Sequence, residues 1–86
     1  MPEISRFFGI VIAMYYSDHA PPHFHAHYGE YEIKVCVESG EVLDGDMPGR
    51  AKGRIIEWWT LHREELAEDW KLAQERRPLN SIEPLK

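Results

Sequence analysis

A single cysteine, Cys36, has no partner for an internal disulfide, so core packing must hold the fold and a reducing compartment is the expected setting. Zinc-ribbon and CxxC redox chemistry are excluded on the same ground. Long apolar runs are also missing. The main one, Ile10 to Tyr16, falls far short of the roughly 20 residues that cross a bilayer, and no charged segment precedes it as in a secretion signal. The sequence therefore reads as cytoplasmic, with no membrane partner. Basic charge is scarce in one half: residues 1–47 carry two basic and eight acidic side chains, against eight and seven in residues 48–86. A net charge of −5 opposes non-specific nucleic-acid binding over the whole surface, yet leaves room for a local basic patch in the second half.

What is present suffices for one small domain. Hydrophobic residues make up 43% of the 86, including three Trp, four Tyr and three Phe, which is too apolar for a disordered chain and too short for two cores. The pattern divides it into a strand-rich half (1–47), a helical half (48–77) and an extended tail (78–86). Ile4 to Phe8 is a short candidate strand, Gly9 permits a bend, and Ile10 to Tyr16 reads as a central strand covered on both faces. Pro21 and Pro22 end that ladder in a loop. From His23 to Tyr28 the residues alternate, with His23, His25 and His27 on one face and Phe24, Ala26 and Tyr28 on the other. A turn at Gly29-Glu30 leads to a strand from Tyr31 to Val37, and Ser39-Gly40 reads as a two-residue hairpin turn into Glu41 to Asp44. The whole is expected to be an α+β fold, with a small antiparallel sheet of about four to five strands packed by one long, broken C-terminal helix or a helix pair.

The helical period begins after Pro48, with Ile55, Trp59, His62, Leu66, Trp70 and Ala73 spaced three or four apart. Unbroken from Arg50 to Glu75, such a helix would be about 39 Å long, against roughly 31 Å for the diameter of a compact chain of this size. A break near Leu61-His62 is expected, with His62 near a cap and Glu65 reaching back to it. Pro78 stops the helix, and Ile82 and Leu85 in the tail are placed to return to the sheet.

Four of the five histidines fall between His19 and His27, the one sharply chemical feature of the chain. Residues two apart on a strand lie about 6.6 Å apart and point the same way, so His23 and His25 can share one divalent ion such as zinc. Further ligands would come from His19, Asp18, Asp44 or Cys36, none of them fixed by spacing. Without metal, the same pair can act as general base and acid across a phosphodiester, since one neutral and one protonated imidazole coexist near physiological pH. That chemistry needs no cofactor but does need a cation, for which Lys34, Arg6 and Arg50 are candidates. A plainer alternative is a polar sheet face with the rings packed on Tyr28 and the proline loop.

Arg50, Lys52 and Arg54 place cations in a first helical turn, against the macrodipole. They either form an anion site with the free helix amides, together with Arg6 as a further candidate, or a solvated face on which Arg54 pairs with Glu57.

The runs Ile4 to Ile10, Asp18 to Ala26, Tyr28 to Tyr31, Ser39 to Leu43 and Ile82 to Leu85 resemble the bacterial domain-of-unknown-function family 4160 over nearly the whole chain. The Pro21-Pro22-His23-Phe24-His25 run is the most specific part. The resemblance implies a small α+β domain with no established reaction. It also implies a gene neighbour resembling domain-of-unknown-function family 2442, as in a toxin–antitoxin pair. His19, His23 and His25, with Arg6 as a companion, are the motif positions it singles out. The expectation is a toxin-like member of a two-protein module. It would bind a small cognate protein through its helical half or tail and act on RNA or a nucleotide through the histidine pair. The alternative is a non-catalytic protein-binding or metal-binding module.

Overall fold

The computed structural model describes residues 2–86. Five strands follow one another in space as in sequence: β1 (Glu3–Phe7), β2 (Ile10–Ala13), β3 (His23–Tyr28), β4 (Tyr31–Cys36) and β5 (Val42–Asp46) form one sheet in which every neighbouring pair is antiparallel. Two helices, α1 (Gly49–Leu61) and α2 (Arg63–Gln74), come after the sheet, so the α+β expectation holds. The central strand is β3, not β2, because β1 and β2 lie together on one side of it and β4 and β5 on the other.

The apolar run from Ile10 to Tyr16 does not stay in the sheet to its end. β2 stops at Ala13, and the Met14 N–H turns to the Pro2 carbonyl at 3.1 Å. Ser17 then takes a left-handed backbone, with φ of 54°. The loop that follows is tied to the end of α2: Ser17 N–H donates to the Ala73 carbonyl, Gln74 Nε2 to the Asp18 carbonyl, and Arg76 Nε to Ser17 Oγ. The C-terminal end of α2 thereby supplies acceptors and donors to a loop whose own backbone has left the ladder.

A two-residue turn joins β3 to β4 with Tyr28 opposite Tyr31, and its first residue is Gly29 at a φ of 59°, a conformation glycine adopts without strain. This turn fixes His25 opposite Lys34 and His27 opposite Glu32. The β4–β5 connection is longer than a two-residue hairpin. Residues 37–41 span it, closed by Cys36 N–H to the Glu41 carbonyl and Gly40 N–H to the Cys36 carbonyl. β5 carries a bulge, since Lys34 faces Asp44 while Val35 faces Val42.

Strand alternation puts Ile12, Phe24, Ala26, Ile33 and Val35 on one buried face, and the helices cover it with Ala51, Ile55, Trp58, Leu66 and Ala73. Trp58, rather than Trp59, is the fully buried tryptophan. Its ring lies 5.4 Å from Phe7 and 5.7 Å from Phe24, and its Nε1 donates to the Glu83 carbonyl at 2.9 Å. Trp59 is half-buried and donates to the Val37 carbonyl. Each indole thus places its bulk in or against the core while its N–H keeps a partner. The expected helix break occurs at His62, whose φ of −128° and ψ of 27° are not helical. A continuous rod would have overrun a molecule whose longest extent is 33 Å. Glu65 does reach back to His62, although it accepts from the ring Nδ1 and not from the backbone. The tail closes the far side: Ile82 N–H donates to the Ile4 carbonyl at 2.7 Å, and Ile82 and Leu85 are buried. No helix among the described residues is long and apolar enough to cross a membrane.

Candidate metal centre

The sheet face away from the core carries the histidines, as the alternation of β3 dictates. His23 stands at the start of the strand. Its ring is only 3% exposed and lies 5.2 Å from the Trp70 ring. Its Nδ1 lies 2.7 Å from the Pro21 carbonyl oxygen. A carbonyl can only accept, so Nδ1 carries the proton and Nε2 is left to face the other way. There it meets Asp18 Oδ2 at 2.9 Å.

His25, two residues on, repeats the arrangement. Its Nδ1 donates to Glu32 Oε2 at 3.1 Å, and its Nε2 faces the same Asp18 Oδ2 at 3.4 Å. The edge of Tyr15 packs on the ring with centroids 4.5 Å apart. Three potential ligand atoms, one each from Asp18, His23 and His25, lie within 4.8 Å of one another.

Asp18 belongs to the loop held by Gln74 and Ser17, which explains how a residue outside any strand reaches the pair. Burial pushes its carboxyl pKa up. The His19 N–H at Oδ1, hydrogen bonds from His23 and His25, and the charge of a protonated His23 more than offset this, so the net shift is downward. The carboxylate form is favoured at neutral pH.

Two ligands attached to one zinc-like ion at about 2.1 Å lie about 3.0 Å apart at a right angle and about 3.4 Å apart at a tetrahedral one. The two nitrogen–oxygen separations found here, 2.9 and 3.4 Å, are close to those spans. Both outer nitrogens are held by oxygen acceptors, the usual orienting arrangement of metal-ligating imidazoles. Two histidines and one carboxylate form a donor set used by divalent transition metals, with positions left open.

The remaining sequence candidates disperse. His19 is exposed beside the cluster and contributes its backbone N–H. His27 turns to Glu32, 3.7 Å away, and its Nε2 is buried without a partner. Cys36 is buried opposite His23 in register, and Asp44 faces Lys34; neither joins the three-residue set. Arg6 is not a companion of the histidines, because its guanidinium is engaged by Glu3 at 2.8 and 3.1 Å on β1. Lys52 pairs with Asp46, and Arg54 lies over the Phe8 ring at 4.1 Å instead of pairing with Glu57. Arg50 is exposed, and it shares a hollow with Arg54, Phe8 and Tyr28. The four cations therefore do not converge on a single anion site. A hollow of about 710 Å³ opens at the helix bend near Thr60, His62 and Glu65 and is lined by no member of the cluster.

Sequence reasoning had Asp18 only as one of four guesses, and it missed Glu32, Trp70 and Asp69. Asp69 is fully buried on α2. One carboxylate oxygen accepts the Asn80 N–H at 2.9 Å and the other has no partner. Burial pushes its pKa up, the Asn80 hydrogen bond lowers it, and the charges of Glu65 and Glu68 raise it; the net shift is upward. Its place three residues after Leu66 and three before Leu72, both buried, was the available signal.

Fold and site together define a small α+β domain, an antiparallel meander with helices on one face and a histidine–carboxylate cluster on the other. The chain belongs to the family described as domain of unknown function (DUF4160), whose model matches residues 9–71, well over half of it. No curated protein and no solved structure gives a match.

Proposed function

We propose that this domain is a metal-binding module in which Asp18, His23 and His25 take up one divalent transition-metal ion such as zinc. One observation carries the reading: with both Nδ1 protons committed to the Pro21 carbonyl and to Glu32, both Nε2 atoms converge with Asp18 Oδ2. With Nδ1 keeping its proton on each ring, Nε2 of His23 and of His25 could each give a lone pair to one ion, with Asp18 as the third ligand; without an ion, protons on the rings bind the same carboxylate. The acid–base reading has less support, because general acid and base must each touch substrate. His23 is too buried for that, and both rings aim at the same oxygen.

Metal analysis of untagged protein tests this. One equivalent of a transition metal, lost in His23→Ala and in His25→Ala, is the expected result. A metal-free protein that takes up neither Zn²⁺ nor Co²⁺ at micromolar concentration would refute it.

The proposed setting, a toxin-like member of a two-protein module with a small cognate partner, rests on the family alone. Expression with and without the neighbouring gene, for wild type and His25→Ala, tests it. Growth arrest relieved by the neighbour and abolished by the substitution is expected. Absence of arrest at equal expression contradicts the toxin-like role.

A further inference from the structure

Two hollows of about 220 and 230 Å³ flank Lys34 on the histidine face, and they differ in charge. The first is lined by His25, Glu32, Lys34 and Asp44, and its carboxylates would repel an anion. The second runs from the Asp18–Pro21 loop to Leu43 and contains Asp18, His19, His23 and Lys34. Asp18 is its one acidic residue, and that carboxylate is the proposed metal ligand. Lys34 is only half exposed and makes no ion pair among the described residues, although its cross-strand neighbour Asp44 stands opposite in register. The His19 ring likewise has no partner among the described residues, since only its backbone N–H is bonded. An unpaired ammonium and a free imidazole thus border a hollow that opens onto the metal ligands.

We propose that this second hollow receives an oxyanion of the phosphate or phosphomonoester class, with one oxygen completing the metal's coordination and Lys34 and His19 donating to the others. The inference rests on the metal reading, and charge makes the dependence strict. Asp18, Glu32 and Asp44 outweigh Lys34 by two negative charges, so the empty face repels an anion, whereas a divalent ion brings it to neutrality. The volume of about 230 Å³ is below the roughly 300–1,000 Å³ of pockets that enclose a drug-sized ligand, so the hollow takes the phosphoryl head and leaves any larger group outside.

Titration of the protein with Co²⁺, followed by inorganic phosphate, reads both steps through the visible bands of the bound metal. The expected result is a phosphate-induced spectral change that requires Co²⁺. Lys34→Met should weaken phosphate binding at least tenfold without weakening Co²⁺ uptake, Lys34→Arg should restore it to within about threefold, and His19→Ala should weaken it less than Lys34→Met. Cobalt uptake with no response to phosphate, or a response that Lys34→Met leaves intact, overturns the oxyanion proposal and leaves the metal reading standing. Absence of cobalt uptake overturns both.

Discussion

Glu32 offers a test of how the site is built that does not remove a ligand. Its Oε2 accepts from His25 Nδ1 at 3.1 Å and so fixes which nitrogen of that ring faces Asp18. Loss of such an orienting carboxylate typically costs 10- to 100-fold in metal affinity. The Glu32 side chain is 53% exposed, so solvent weakens its hold and the lower end applies. Glu32→Gln is therefore expected to reduce affinity for Zn²⁺ or Co²⁺ by about tenfold, close to 1.4 kcal/mol. A competition titration against a chromophoric chelator at pH 7.5 measures it. Removing a negative charge anywhere near a dication also weakens binding, and Glu30→Gln controls for that. Glu30 is exposed in the same β3–β4 turn and has no histidine partner among the described residues, so its loss should change affinity by no more than about twofold. Equal effects of the two substitutions would refute the orienting role, as would an unchanged affinity in Glu32→Gln.

Three further outcomes follow from the packing. Gly45 sits at a φ of 83° in β5, and a Cβ there would stand 2.1 Å from the Glu32 carbonyl oxygen. Gly45→Ala should lower the urea midpoint by the equivalent of about 2 kcal/mol or more, and an unaltered midpoint would contradict this close approach of β5 to β4. Asp69 has a raised pKa in the folded state, so the native protein binds its proton more tightly than the unfolded chain. Its contribution is fully present below the unfolded value near 3.9 and is lost as pH climbs through the raised one. The stability difference between wild type and Asp69→Asn, from urea melts at pH 4 and pH 7, should shift against wild type at the higher pH; a flat difference contradicts this. Gln74→Ala removes a side-chain tie to the Asp18 carbonyl. It should loosen the ligand loop and weaken metal binding a few-fold, read by the same chelator competition, with at most about 1 kcal/mol of stability lost. No change in affinity would mean that the loop is held without this tie.

Alternation in β3 was enough to place the histidines together on the face opposite Phe24 and Ala26, because a pleated strand has a strict two-residue period. The change of period after Pro48 and the excess length of one rod located the helix bend at His62. Ile82 and Leu85, the apolar residues of the tail, returned to the core. Where local patterns failed, the missing information was a distant partner. β2 ends early because α2 offers the following loop an anchor, and Trp58 takes the deepest position, against Phe7 and Phe24, with its N–H on the tail, while Trp59 sits at the edge.

The same division runs through the site. Local periodicity, a property of adjacent residues, determined that His23 and His25 emerge side by side from one strand. Tertiary structure decided that Asp18 would complete the set and that Glu32 on the neighbouring strand would orient the His25 ring, whereas Arg6 is spent on Glu3 three residues away and His23 is oriented by the Pro21 carbonyl two residues away. Side-chain direction repeats along a strand and can be counted. The position of a loop is set by whatever closes its unpaired backbone groups, and here those groups are closed by a helix more than fifty residues away in the chain.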